Sequence, residues 1–243
     1  MNYYFFLDPK IDGLESSVEL FNMPPTNIIK GEALKNKKII AFFSNGQEWV
    51  YHEIGSLKPY QSKLIKKNDL PTKFREKNVF ISLFDNFIKS SRELISENYM
   101  KSLPEWRSNL KISSQSSSCS YQGEYPYNMA KRKLSIVSCS PMIQSNSNFN
   151  SYFCLVNLNN IPEINNFKLD ILNPNKIKID SIIMKSNSIN FYKLKKEIIS
   201  ENNFLIFTSK TNGGIPIYFS VDNEKTMLSI EHTHPPTSYF AFG

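Results

Sequence analysis

The sequence predicts a mainly β protein, α+β overall, with an antiparallel β-sandwich in its C-terminal half and a hairpin-and-helix N-terminal part. Three observations predict it: an Asn-Gly turn between apolar segments, one stretch with a helical apolar repeat, and a series of short apolar segments after residue 110. With 243 residues, of which 40% are hydrophobic, the chain is long enough for one large or two small domains.

The clearest local signal is the segment IIAFFSNGQEWVYHEI at residues 39–54. Asn45-Gly46 favours the positive φ angles of a tight type I′ turn, and apolar and aromatic residues flank it on both sides. A two-residue turn would pair Phe42 with Trp49. The same register makes His52 a half-buried packing residue rather than a ligand.

A long amphipathic helix is predicted over residues 72–103, ending before Pro104. Its apolar residues recur at spacings of three and four, which is the repeat of a helix that covers a sheet with one face. These residues are Phe80, Leu83, Phe84, Phe87, Ile88, Leu94 and Ile95.

After residue 110 the apolar residues follow a period of two, and Asn, Pro, Gly and Asp separate the segments. Many short strands without intervening helices are typical of an antiparallel sandwich or barrel. One helical turn is predicted at 195–203. The predicted strands cover residues 134–140, 152–158, 167–172, 177–184, 188–194, 204–209, 214–221 and 227–234.

This change of pattern predicts an N-terminal part over 1–110 and a β-sandwich over 111–243. The serine-rich stretch ISSQSSSCS at 112–120 fits a boundary between two domains. It fits equally a loop within one continuous domain, and the sequence leaves both interpretations open.

The formal net charge of +7 permits an anionic partner but does not require one. Basic clusters lie at 35–38, 63–67 and 131–133. Nucleic-acid surfaces usually combine such clusters with a known module or an arginine-rich helix, and neither is present. The sequence therefore favours a solvated lysine-rich surface over nucleic-acid binding.

The compartment predicted from the sequence is the cytoplasm. The N-terminal residues lack the pattern of a signal peptide, and no apolar run approaches the roughly 18 residues of a membrane span. The three cysteines are odd in number and widely spaced, which is typical of reduced thiols.

Two of the three histidines, His232 and His234, lie one residue apart in IEHTHPPTSYFAFG at 230–243. In a strand they share a face with Leu228 and Ile230. Two such imidazoles could hold zinc, which needs two further ligands in a structural site, or one ligand and water in a catalytic site. The other interpretation is a strand end at the edge of the core.

The sequence HTHP resembles the histidine pair of JAMM-type metalloproteases. Those enzymes also use an aspartate in a downstream Ser-x-x-Asp segment, and here no acidic residue follows Glu231. HTHPPTSYFAFG also resembles the first half of a cupin motif, but Ser238 stands where cupins place a glutamate. Neither resemblance identifies a family.

A second candidate site is YQGEYPYNMAKRK at 121–133, which we interpret as a loop rich in tyrosine. Tyrosine joins a flat apolar ring to a hydroxyl, a combination suited to recognising sugars or protein surfaces. The alternative is a packed loop whose rings cover the core. The predicted ligand-binding residues are Tyr121, Gln122, Glu124, Tyr125 and Tyr127.

No complete catalytic motif is present, since the sequence contains neither a serine-hydrolase elbow nor a phosphate-binding loop. We therefore predict a non-enzymatic binding or accessory protein that engages a protein or a glycan through loops of the sandwich. The alternative is a metal-dependent enzyme that uses His232 and His234, and hydrolysis is the reaction that we favour for it. The sequence does not indicate an oligomeric state.

Overall fold

The computed structural model describes residues 2–23, 34–85, 90–95, 108–123, 125–126, 137–140, 148–202 and 205–232. Over these residues the chain is mostly antiparallel β, with four sheets and two short α-helices, which confirms the predicted fold class. None of the helices among the described residues is long and apolar enough to cross a membrane.

The first nine strands are β1 (Asn2–Phe5), β2 (Glu15–Asn22), β3 (Lys37–Ser44), β4 (Trp49–Leu57), β5 (Gln61–Lys66), β6 (Phe80–Phe84), β7 (Ser108–Ser113), β8 (Ser118–Gly123) and β9 (Tyr125–Pro126), and we call the sheets that they form the N-terminal part of the structure. The later strands are β10 (Val137–Ser140), β11 (Phe149–Asn157), β12 (Asn166–Leu172), β13 (Lys178–Lys185), β14 (Ser188–Lys193), β15 (Leu205–Thr208), β16 (Ile215–Asp222) and β17 (Leu228–His232). The helices are α1 (Thr72–Arg75) and α2 (Lys196–Glu201), with 3-10 turns at Lys67–Asp69 and Ser91–Glu93.

The N-terminal strands form two antiparallel sheets. Sheet 1 has the strand order β4-β3-β6-β1-β9, and sheet 2 has the order β5-β2-β7-β8. The serine-rich stretch lies within sheet 2, because β7 and β8 pair as a hairpin from Ser108 with Gly123 to Ser113 with Ser118. The division of the chain at residue 110 stays a prediction.

The C-terminal strands form sheet 3, with the order β14-β11-β16-β17, and sheet 4, with the order β10-β15-β12-β13. Side chains of both sheets meet in one buried cluster, which includes Phe153 and Tyr218 from sheet 3 and Leu169 and Phe207 from sheet 4. This is the core of a sandwich. Each of the eight predicted segments overlaps a strand, and α2 lies in the stretch predicted to hold a helical turn.

Sheet 3 is buried on both faces because its strands contribute to two cores. Along β11, Phe153 and Leu155 pack into the sandwich core, whereas Cys154 and Val156 pack into the larger core with the N-terminal sheets. The alternation of side chains across a strand accounts for this division. The N-terminal part and the sandwich are therefore joined by a continuous hydrophobic interior.

The predicted hairpin is present as β3 and β4, but its predicted register is wrong by two residues. Ser44 pairs with Trp49, and the turn has four residues, with the amide of Asn45 donating to the Glu48 carbonyl at 3.1 Å. The Asn45 side chain accepts bonds from the amides of Gln47 and Glu48, both at 2.9 Å. These side-chain bonds stabilise the four-residue turn and thereby favour it over the two-residue turn.

The long helix predicted over 72–103 is wrong. Only Thr72–Arg75 is α-helical among its described residues, and Phe80–Phe84 is a strand between β3 and β1 in sheet 1. Every residue of β6 is buried, so the strand is apolar on both faces. A continuous apolar run of this kind reproduces helical spacings by chance. The predicted helical residues 86–89 and 96–103 lie outside the described residues.

Candidate functional site

A cleft of about 290 Å³ opens where the N-terminal part meets the sandwich. The β3–β4 turn and the segment after α1 form one wall, and the β13–β14 turn forms the other. Phe43 and Ile164 supply apolar surface, and the rest of the lining is polar or charged. The cleft is therefore a concave site with a small apolar part and many hydrogen-bonding groups, which makes it more polar than a typical small-molecule pocket.

The two walls are joined by hydrogen bonds between the halves of the chain. The Ser44 hydroxyl accepts a bond from the Gly46 amide at 2.9 Å and donates to the carbonyl of Pro162. On the other side of the cleft, the amide of Ile189 donates to the Asn78 side chain at 3.4 Å. These contacts fix the positions of the β3–β4 turn and the segment after α1 against the sandwich.

The sandwich wall is held in place by Asn187, which is 2% exposed and has a φ of 52°. Its side-chain amide donates to the carbonyls of Ile161 and Glu163, both at 2.8 Å, and its side-chain oxygen accepts from the Asn159 amide at 2.7 Å. Asparagine tolerates this left-handed backbone better than most residues. One buried side chain thus connects the β13–β14 turn to the β11–β12 loop.

The exposed groups of the cleft are Asn45, Glu76, Lys77, Asn78 and Lys185. The ammonium of Lys77 lies 5.9 Å from the centroid of the Phe43 ring. Two amides, two ammonium groups and a carboxylate can donate and accept hydrogen bonds with sugar hydroxyls or a peptide backbone. The described residues that line the cleft include no histidine or cysteine, so they do not form a nucleophile–base pair of the Cys-His or Ser-His kind.

The tyrosine-rich segment forms strands over its described residues, so the predicted loop is wrong for residues 121–123 and 125–126. Tyr121 and Gln122 are neighbours on β8 and therefore lie on opposite faces of sheet 2. Tyr121 packs against the larger core, and Gln122 is exposed beside Asn109. Tyr125 belongs to β9 and pairs with Tyr3, whereas Glu124 and Tyr127 lie outside the described residues.

Of the histidine pair, the structure describes only the backbone of His232. Leu228 and Ile230 pack against the larger core as predicted, and His232 is the last residue of β17, opposite Ile217. The His232 side chain and the whole of His234 lie outside what the structure describes. His52 is exposed, not half-buried as predicted, and its ring centroid lies 6.2 Å from that of Phe74.

In the part of the chain that the structure describes, no three His, Cys, Asp or Glu side chains are grouped so that they could hold a metal ion. Burial raises the pKa of the Cys119 thiol to about 11 and that of Cys154 well above its usual value. Both thiols are therefore protonated at neutral pH, which does not favour their use as nucleophiles or ligands.

Sequence reasoning missed the cleft because its walls come from segments far apart in the chain. Asn45 was singled out as a turn residue, but no local pattern indicated that Asn78 and Asn187 meet the same space. Comparisons with protein-family models, with curated proteins and with solved structures gave no match.

Proposed function

We propose that this chain is a non-enzymatic binding or accessory protein that holds part of a protein or a glycan in the cleft between its N-terminal part and its sandwich. The observation that carries the proposal is the cleft itself, with its exposed amides and ammonium groups around apolar surface. Ligand sites of proteins are typically concave and combine apolar contact with a few polar groups that orient the ligand.

The hydrogen bonds behind the cleft support binding without large rearrangement. Asn187 and Ser44 each bond to loop backbone of the sandwich, so the two walls are fixed before a ligand arrives. A site that is already ordered loses little conformational entropy on binding. The exposed groups of Asn45, Asn78 and Lys185 remain in front of this framework, where a ligand can reach them.

We place this activity in the cytoplasm. Cys119 and Cys154 are free thiols, in keeping with a reducing compartment.

The test is to apply the labelled protein to a glycan array and to an array of overlapping peptides. Three variants accompany the wild type: Asn78→Ala and Lys185→Ala in the cleft, and Lys193→Ala as the control. Lys193 is exposed at the far end of β14, about 17 Å along the strand from Ser188 at the rise of a β-strand. Circular dichroism checks that each variant folds.

We expect a ligand from one of the two arrays to bind at least roughly fivefold more weakly to either cleft variant and equally well to the Lys193 control. Each cleft variant removes a hydrogen-bonding group that a ligand would contact, and this should reduce the free energy of binding by about 1–2 kcal/mol. Binding that both cleft variants leave unchanged would place the ligand elsewhere and overturn the proposal.

A further inference from the structure

The outer face of sheet 4 carries a second group of residues that the cleft does not use. Along β12, Leu169 and Ile171 point into the sandwich core, so Lys168, Asp170 and Leu172 lie on the opposite face. The register brings Lys168 beside Ile183 on β13 and Asp170 beside Thr208 on β15. We call this surface, with Lys178, the lysine face.

The lysine face has an excess of positive charge. Asp170 lies 2.7 Å from the ammonium of Lys178 and 3.8 Å from that of Lys168. Lys210 is also near enough to lower the pKa of Asp170, although the bond from Lys178 is the larger cause. Two ammonium groups therefore lie within 4 Å of one carboxylate, and the positive charge exceeds the negative charge at this point of the face.

Exposed isoleucines accompany these lysines. Ile183 is 66% exposed beside Lys168, and Ile177 is 61% exposed at the turn that leads into β13. Full burial of a large aliphatic side chain that was exposed to water is favourable by roughly 1.5–3 kcal/mol of free energy. The lysine face thus offers two kinds of contact, one with anions and one with an apolar phase.

Among the described strands β13 lies at the edge of sheet 4, and side chains cap some of its backbone groups. The amide of Asn190 bonds to both backbone groups of Lys185, accepting from its N–H and donating to its C=O, each at 2.9 Å. The N–H of Ser181 donates to the Asp180 carboxylate at 2.7 Å. Such capping protects an edge strand from pairing, so a partner would meet the face of the sheet rather than extend it.

We propose that the lysine face binds the surface of an anionic lipid bilayer, with its ammonium groups at the headgroup phosphates and its isoleucines below them. Basic and aliphatic side chains on one surface are the combination that holds peripheral proteins at such bilayers. Nucleic acid fits less well. Single strands stack on aromatic rings, and the described residues of this face have none, while duplexes are read by elements narrow enough to enter a groove.

The test measures co-sedimentation of the full chain with phosphatidylcholine vesicles, with and without phosphatidylserine. The variants are Lys168→Gln with Lys178→Gln, Ile183→Ser, and a charge-matched control, Lys63→Gln with Lys193→Gln. The control lysines are exposed on β5 and β14, away from the lysine face. Both double variants replace two lysines by glutamine and therefore have the same net charge. Retention on duplex DNA is measured in parallel for every variant.

We expect binding to the phosphatidylserine vesicles only, with a loss of at least fivefold in the Lys168/Lys178 variant and little change in the charge-matched control. A surface lysine contributes about 1 kcal/mol at an anionic membrane, or roughly fivefold in affinity. Ile183→Ser should weaken vesicle binding without changing DNA retention, because it removes apolar contact and no charge.

Three results would overturn the proposal. Equal binding to neutral vesicles, or none to the anionic ones, would contradict a charged lipid surface. An equal loss in the control would assign the attraction to net charge alone. An unchanged Ile183→Ser variant, together with DNA retention lost only in the Lys168/Lys178 variant, would identify a nucleic-acid surface instead.

Discussion

The rings of Phe153 and Phe207 lie face to face, with centroids 3.8 Å apart and planes inclined by 1°, and join the two sheets of the sandwich. Phe153 comes from β11 in sheet 3 and Phe207 from β15 in sheet 4. Tyr218 packs edge-on against both rings, with centroid distances of 5.5 and 6.0 Å. This aromatic cluster is the centre of the sandwich core, because both phenylalanines are fully buried.

Replacing Phe207 should therefore be among the most damaging single changes in the C-terminal half. We expect Phe207→Ala to lower the free energy of unfolding by about 3–5 kcal/mol, since it removes a buried ring and leaves a cavity. Urea denaturation followed by circular dichroism measures this change. Met227→Ala is the control, because Met227 is 59% exposed and should cost no more than about 0.5 kcal/mol. Equal losses in the two variants would contradict a core centred on Phe207.

Asn187 allows the contribution of its hydrogen bonds to be separated from that of its backbone conformation. Both Asn187→Gly and Asn187→Ala remove the bonds to Asn159, Ile161 and Glu163, but only alanine is strained at a φ of 52°. We expect both to lower the free energy of unfolding, measured by thermal denaturation, and alanine to lower it by about 1–2 kcal/mol more than glycine. Lys176→Gly is the matched control at a φ of 62° on an exposed turn, and it should not destabilise. Alanine equal to glycine would show that the conformation costs nothing here.

The strands of the sandwich could be predicted because their local signals agree. Segments such as Phe167–Leu172 alternate buried and more exposed residues, and turn-forming residues end them on both sides. The strand Phe80–Phe84 could not be recognised in this way, because it is buried on both faces of sheet 1 and shows no alternation. A strand in the middle of a covered sheet and one turn of a buried helix have the same short apolar pattern.

The candidate sites differ in what the sequence could reveal. The segment SCSYQG at 118–123 does alternate, with Cys119 and Tyr121 towards the core and Ser120 and Gln122 outward. That pattern was a signal for a strand, and it separates two residues that were predicted to bind together. The cleft has no such signal, since the meeting of Asn45, Asn78 and Asn187 depends on how sheet 1 docks on the sandwich. Local sequence does not specify that long-range arrangement.

The thiol of Cys119 should make the folded chain less stable at alkaline pH. Burial raises its pKa from the usual 9.0 to about 11, so the unfolded state loses this proton at lower pH than the folded state. The contribution of the protonated thiol to the free energy of unfolding is fully present below pH 9.0 and is lost as the pH rises to about 11. We expect the thermal midpoint of wild type to fall more steeply over this window than that of Cys119→Ser. Iodoacetamide labelling, read at Cys119 by mass spectrometry, should also be slow near neutral pH. Parallel thermal curves for the two proteins, with rapid labelling, would contradict a half-buried thiol of raised pKa.

The histidine pair provides the measurement that separates a binding protein from a metal-dependent enzyme. Under the proposed function, we expect untagged protein to carry no stoichiometric transition metal and to bind no added zinc at neutral pH. His232→Ala and His234→Ala should then leave the metal content unchanged, and ligand binding in the cleft should persist in both. Elemental analysis, followed by titration with zinc, measures this directly, with His52→Ala as the control because His52 is exposed on β4. Stoichiometric zinc that either variant loses and the control keeps, with affinity falling as imidazole protonates at about pH 6–7, would instead establish His232 and His234 as ligands.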